Sequence, residues 1–223
     1  LTNSISYSNI SGLDDTEISF ENFENRNDIL FNRNRNTLED SKLETVSYAA
    51  NYKNQFNTKG HLLSIDYQYT RSLDIEKREI LEAFEAGSNQ DALFDNATTD
   101  SHEISELLQL DYTLPFGKEF NSKIELGYRG VFDKYNLDYL EGSIINDIFI
   151  KNYNYSNNLV YSQNVNAAYL QFGQGFNKLN ISTGIRIENT DLSVFLTNKN
   201  TPNNKSYTNW FPTLFLGYEL TAK

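Results

Sequence analysis

Residues 48–73 read YAANYKNQFNTKGHLLSIDYQYTRSL, and the second half of that stretch decides the fold. Leu63, Ile65, Tyr67 and Tyr69 alternate there with Ser64, Asp66, Gln68 and Thr70. A pleated strand sends successive side chains to opposite faces, so this period of two makes one apolar and one polar face. Asn57, Thr58, Lys59 and Gly60 form a turn cluster before it, and the arm from about Glu44 alternates as well. Glu44 to Leu73 is therefore predicted to be an antiparallel hairpin, with one face suited to lipid and the other to water.

The design recurs along the chain. Ile104, Leu108, Leu110, Tyr112 and Leu114 alternate with Ser105, Gln109, Asp111 and Thr113, interrupted by Glu106 and Leu107. After a turn at Pro115 to Lys118, Ile124, Leu126, Tyr128 and Phe132 oppose Lys123, Glu125 and Arg129. A third hairpin, from about Leu159, turns through Gly173 to Asn177 and returns with Leu179, Ile181, Thr183, Ile185 and Ile187 opposite Asn180, Ser182, Arg186 and Glu188. Its first arm is ambiguous, because Ala168, Leu170 and Phe172 compete with Val165, Ala167 and Tyr169 for the apolar face. A last strand, about Tyr207 to Thr221, sets Trp210, Leu214, Leu216, Tyr218 and Leu220 against Thr213, Gly217 and Glu219. With two weaker segments near Thr2 to Ile10 and Thr16 to Glu24, the expected count is nine strands.

The connections alternate between tight turns, near Ser11 to Asp15, Asn57 to Gly60, Pro115 to Lys118 and Gly173 to Asn177, and long polar stretches. The latter cover about Asn25 to Leu43, Asp74 to Ser101, Lys134 to Asn157 and Ser193 to Ser206. Transmembrane barrels show this asymmetry, with short periplasmic turns and long extracellular loops. Aromatic residues fit two interfacial belts, Tyr112, Phe116, Phe172 and Tyr218 at the tight-turn end and Tyr69, Phe132 and Tyr135 at the other. Within the second long stretch, Asp74 to Ala86 has the spacing of a short helix, with Ile75, Ile80, Leu81 and Phe84 on one side and Gly87 as a stop.

Composition excludes several classes. Thirty Asp and Glu against nineteen Lys and Arg give a formal charge of −11 over 223 residues, which argues against a nucleic-acid partner. Cysteine is absent, removing disulfides, zinc thiolates and thiol nucleophiles, and no pattern calls for a cofactor. A mean hydropathy of −0.58 without a long apolar run leaves no membrane helix, which says nothing against a barrel, whose strands carry their apolar residues in alternation. Methionine is absent, and the chain begins at Leu1 with no charged region followed by an apolar region and a small-residue cleavage site, so it is expected to be an internal piece of a longer precursor.

Three stretches carry a family resemblance. Tyr48 to Leu73, quoted above, resembles the tyrosine-rich hairpin of the outer-membrane β-barrel family of TonB-dependent receptors. Asn164 to Thr190, NVNAAYLQFGQGFNKLNISTGIRIENT, is similar to a second hairpin of that family, and Asn209 to Leu220, NWFPTLFLGYEL, to one of its later strands. The resemblance implies an all-β, antiparallel transmembrane barrel of some twenty-two strands, of which this chain supplies about nine up-and-down strands. It also implies a plug domain of the same receptor inside the barrel and energy-coupled uptake of a metal chelate, oligosaccharide or peptide. The partners it implies are outer-membrane lipid, that plug, the energy-transducing inner-membrane complex engaged through an N-terminal part, and a surface lipoprotein. The plug, the energy-coupling segment and a terminal aromatic strand are not found in residues 1–223. An odd strand count points the same way, because bacterial barrels close on even numbers.

Asp66, Gln68, Gln109, Asp111, Lys123, Glu125, Arg129, Arg186 and Glu188 share the polar face and are the candidate site, a wall that would meet a plug or a passing solute; for any one of them a water-filled interior or cross-strand pairing is the preferred account. Asp100, Ser101 and His102 hold the residue types of a hydrolytic triad, but neighbours in sequence seldom have triad geometry, so no enzyme activity is expected. His61 lies beside a tight turn. The acidic groups Asp14, Asp15, Glu17 and Asp91, Asp95, Asp100 lack calcium-loop spacing and read as solvated charge. A small complete barrel with a structural or adhesion role is the alternative, and a soluble β protein binding an apolar ligand is a further one.

Overall fold

The computed structural model describes residues 1–25, 28–84, 91–117, 121–197 and 200–220, with the side chains of 23–30 and 201 outside that set. Those residues form one sheet: β1 (Thr2–Asn25), β2 (Asp28–Gln55), β3 (Leu62–Phe84), β4 (Leu93–Phe116), β5 (Ser122–Ile145), β6 (Ile148–Lys151), β7 (Asn157–Phe176), β8 (Leu179–Leu196) and β9 (Thr201–Tyr218). Each long strand pairs antiparallel with the next, in the order β1-β2-β3-β4-β5-β7-β8-β9, and β6 folds back on the upper end of β5. β1 and β9 do not pair among the described residues.

The alternation that predicted strands survives in the register. Tyr52, Ile65, Leu110, Tyr128, Ala168, Ile187 and Trp210 lie in one row, each directly opposite the next. Directly paired residues of an antiparallel ladder project to the same side, so the row is a continuous apolar stripe. Asn51, Asp66, Gln109, Arg129, Ala167, Glu188 and Asn209 form the adjacent row on the opposite side. The competition in β7 resolves here: Ala168, Leu170 and Phe172 join the apolar face, and Tyr169 turns to the polar one. Tyr135 lies opposite Glu103 and so on the polar face, which removes it from the outer aromatic belt.

Among the described residues no second layer covers either side. Ala97 and Ala167 are the buried apolar side chains among the described residues, whereas Leu170 is 52% exposed, Trp210 61% and Leu214 64%. A soluble β domain must bury such a face against another element. An uncovered apolar stripe has lipid as its natural solvent.

The apolar band also crosses the strands obliquely. Tyr7, Val46, Arg71, Ile104, Lys134, Ser162, Ser193 and Asn204 form one row, and the band reaches it in β1, β2 and β4. In β9 the band stops at Trp210, six residues nearer the tight-turn end than Asn204. At about 3.3 Å per residue and 4.8 Å per strand over the steps from β1 to β9, this is roughly 20 Å in 34 Å, an angle of about 30°. Membrane barrels tilt their strands by about 35–45°.

Several expectations are corrected. Ser11 to Asp15 is not a turn, because β1 runs through it opposite Lys42 to Leu38 of β2. The nine strands are thus eight long ones and the short β6, and the oddness of the count loses its force. The stretches read as long loops are mostly strand: β2 starts at Asp28, β3 reaches Phe84, β4 starts at Leu93 and β5 reaches Ile145. Asp74 to Phe84, read as helix, is the upper half of β3, paired with β2 and β4; residues 85 and 86 lie outside the described set. The turn placed at Gly173 to Asn177 shifts to Asn177 and Lys178, with Phe176 opposite Leu179 and Asn177 at φ 53°. The turn at Asn57 is as expected: its Oδ1 accepts from the amides of Lys59 (2.9 Å) and His61 (3.2 Å), and Gly60 adopts φ 94°.

Candidate functional site

The nine candidate residues fall on the polar face in five consecutive rows. Gln68 is uppermost, opposite Ala49 and Leu107; Asp66, Gln109, Arg129 and Glu188 follow, then Asp111 and Arg186, then Glu125, then Lys123. Strand alternation puts each there, and most are tied to neighbours. Asp66 accepts from Asn51 Nδ2 (2.5 Å) and Ser64 Oγ (3.2 Å). Asp111 accepts from Gln109 Nε2 and from Tyr169 Oη, both at 2.6 Å. Gln171 donates to Glu125 (3.3 Å) and to Ser182 Oγ (2.8 Å). Lys123 pairs with Glu125 at 2.9 Å and Arg186 with Glu188 at 3.0 Å, both along a strand, where cross-strand pairs were expected.

Tyr169 reaches Asp111 across β5 because Gly127 stands between them. A Cβ at residue 127 would collide with the Tyr169 ring and approach the Leu110 carbonyl oxygen to 2.6 Å. Glycine therefore gives the ring a seat, the device that packs aromatics over glycines in curved sheets. Tyr128 uses Gly130 in the same way on the apolar face, donating to Asn166 Oδ1 at 2.7 Å.

A second cluster on the polar face, beyond the apolar band, was missed because its residues were assigned to loops. Glu82, only 6% exposed, accepts from Arg33 Nη1 (2.5 Å) and from Arg35 Nε and Nη2 (2.9 and 2.6 Å). The Arg33 guanidinium also lies 4.4 Å from the centre of the Phe20 ring. Burial pushes the Glu82 carboxyl up, but the bonds from Arg35 and Arg33 outweigh it and hold the group below its ordinary value. Arg78 donates to Glu39 (2.7 Å) and pairs with Glu76 (3.0 Å); the bond lowers Glu39, while burial raises Glu76. Burial and the bond to Glu141 push Tyr139 up to about 12. The signal in the sequence was the alternation Arg33, Arg35, Thr37, Glu39 against Asn34, Asn36, Leu38.

The triad residue types do not converge. His102 Nε2 meets Asp100 Oδ1 at 3.1 Å on the apolar side, and Ser101 lies on the opposite side between Asp74 and Leu137. His61 Nε2 and Tyr112 Oη are 2.7 Å apart, and the His61 ring also packs on Phe56, which fastens the first turn to β4. In β1, Asp14 faces away from Asp15 and Glu17, which separates the first acidic group.

The sequence profile of the outer membrane protein beta-barrel family matches residues 54–223. Comparison with curated proteins gives no match. Among solved structures, the ferric citrate transporter FecA in its unliganded form superposes with a TM-score of 0.51 at 14% identity, over 95% of this chain and 34% of FecA. The ferric yersiniabactin uptake receptor FyuA from Yersinia pestis gives 0.39 at 12% identity, over 97% and 42% of the two chains. BauA, the ferric preacinetobactin receptor from Acinetobacter baumannii, gives 0.39 at 10% identity, over 99% and 45%. The chain thus spans about a third of the length of FecA, with which it shares its strand architecture.

Proposed function

This chain belongs to the outer membrane protein β-barrel family, and from that membership we propose that it is a wall segment of a TonB-dependent receptor importing a scarce nutrient across the outer membrane of a Gram-negative bacterium. The observation that carries the reading is the division of one uncovered sheet into a lipid stripe and a hydrogen-bonded polar wall. The polar wall is the lumen side. Asp66, Asp111, Glu125, Arg129 and their neighbours meet a plug or passing solute there, and the strands continue outward as ribbons that frame an entrance. β3 alone continues from Arg71 to Phe84, about 40 Å along the strand.

In this reading the barrel supplies a path and a binding surface, with no covalent chemistry. The cargo is a metal chelate, an oligosaccharide or a peptide; the ferric citrate named for FecA makes the first the one to test first. The wall is completed by strands that pair with the free edges of β1 and β9, since an open edge in lipid leaves backbone groups unsatisfied at a cost of several kcal/mol each.

Cells carrying or lacking the intact receptor should differ in uptake of one of the three cargo classes, and a protonophore should abolish the difference. Uptake of all three that is unaffected by loss of the receptor would overturn the proposal. The alternative, a small complete barrel with a structural or adhesion role, is favoured by the eight long strands, an even number on which a barrel closes. It predicts a heat-modifiable closed species from residues 1–223 alone, whereas a wall segment stays open.

A further inference from the structure

The ribbons that rise beyond the lipid band have an outer face as well as a lumen face, and the outer one carries a recess of about 590 Å³. Its floor is Leu81, Phe94 and Ile144. Leu81 lies directly opposite Phe94, and Phe94 and Ile144 stand one step above the paired Asp95 and Ser143. Leu81 is 38% exposed and Phe94 51%. Phe149 of β6, opposite Ile144, extends the floor, its ring set against Gly142, where a Cβ would come within 2.7 Å of it.

Lipid does not reach this floor. Leu81 stands ten residues beyond Arg71, in whose row the lipid band ends, which is about 33 Å along the strand. Between them the same face carries Lys42, Asp100 and Asp138 in one row and Asp40 and Lys77 in the next. An exposed apolar patch cut off from lipid by charges marks a binding surface.

The polar rim selects the ligand. Asn36, Asn96, Glu79 and Asp147 line the recess, and no cation does. Among the described residues these four side chains make no hydrogen bond or ion pair. On the lumen side of the same strands the polar groups are bonded: Glu82 to Arg33 and Arg35, Arg78 to Glu39, and Ser143 to Asp95. Two amides that donate and accept, and two carboxylates that accept, are thus left free over an apolar floor. A pyranose ring is their complement, with hydroxyls around its edge and C–H groups on its face. The carboxylates, with Glu17 and Asp15 opposite Asn36 and Leu38, repel an anion. The volume falls within the roughly 300–1,000 Å³ of small-ligand pockets.

We propose that this recess binds a neutral sugar chain at the cell surface, with the Phe94 ring stacked on a pyranose face and Asn36, Asn96 and Glu79 bonded to its hydroxyls. The recess opens away from the lumen, so the chain it holds stays outside the barrel and is distinct from any imported cargo. Binding here needs insertion in the outer membrane but not uptake, so its failure and the failure of the transport reading are separable.

The intact barrel, in phosphatidylcholine discs and verified as inserted by heat modifiability, is mixed with maltotriose, cellotriose or triacetylchitotriose, and with trigalacturonate as an anionic comparison. Binding is read by saturation-transfer NMR. At least one neutral trisaccharide should bind, with transfer strongest to its ring C–H protons, and trigalacturonate should not. Phe94→Ala with Asn96→Ala should weaken that binding about tenfold, the effect of losing about 1.4 kcal/mol. Lys77→Ala, on the same face one row below Glu79, should leave it unchanged. A recess that docks protein instead would give no signal with any neutral probe. That result, equal affinity in the inserted double variant, an equal loss in Lys77→Ala, or equal binding of trigalacturonate would each overturn the proposal.

Discussion

Gly127 shows how one residue shapes the polar wall. It seats the Tyr169 ring, and the ring delivers its hydroxyl to Asp111 two strands away. Gly127→Val should destabilise the barrel by about 1–3 kcal/mol in urea unfolding, because the obstacle includes a backbone carbonyl that a rotamer change cannot relieve. The facing of Tyr169 was not legible from its neighbours, since Ala167 and Ala168 are interchangeable as pattern; pairing of Tyr169 with Gly127 and Arg186 decides it. Glu82 gives a prediction that depends on pH. Its folded-state value is held below 4.5, so its contribution is present above that value and lost as pH falls through the lower folded one. Proteolysis of the β2–β3 ribbon should therefore accelerate as pH falls below about 4. Glu82→Gln should produce the same opening at neutral pH, costing about 1–2 kcal/mol. That is less than the 3–5 of a fully buried pair, because the Arg33 and Arg35 side chains remain 30% and 40% exposed.

At the scale of elements, the alternating segments near the membrane were legible because lipid on one side and water on the other enforce a strict period of two. The ribbons beyond the band have water available to both faces, so alternation there sets polar residues mostly against polar ones, as Arg33, Arg35, Thr37 and Glu39 against Asn34 and Asn36, and reads as loop. Asp74 to Phe84, DIEKREILEAF, is built from good helix formers. It is nevertheless strand, because β2 and β4 flank it and offer its backbone ladders on both sides. As an isolated peptide it should turn helical in trifluoroethanol, while in the barrel the amides of residues 75–83 should be protected from hydrogen exchange as strand. The β5–β6 hairpin was legible and was overlooked: Asn146 and Asp147, at φ 52° and 58°, form a two-residue turn between Ile145 and Ile148. Asn146→Gly should be neutral or slightly stabilising in thermal unfolding, and Asn146→Val should destabilise the hairpin by about 1–2 kcal/mol, the cost of a left-handed conformation for a β-branched residue without a polar side chain to bond locally.

For the whole molecule, sequence alternation led to a lipid-facing sheet, and the ladder added its geometry, a band inclined about 30° to the rows. Strand number carried less meaning than it promised, because the nine came from splitting β1 and missing β6. The nine polar residues share one face of the sheet, but their cross-strand partners Asn51, Tyr169 and Gln171 emerge only when strands β2 to β7 are laid side by side. What joins these scales is the claim that each strand divides lipid from water residue by residue. Single cysteines at Leu108, Gln109, Leu110 and Asp111 of β4, in the intact barrel in lipid vesicles, test it most directly. Probes at residues 108 and 110 should be quenched by a lipid-phase quencher and resist a water-soluble maleimide, and those at 109 and 111 should show the reverse. Four positions that respond alike, or an alternation of opposite phase, would contradict the account.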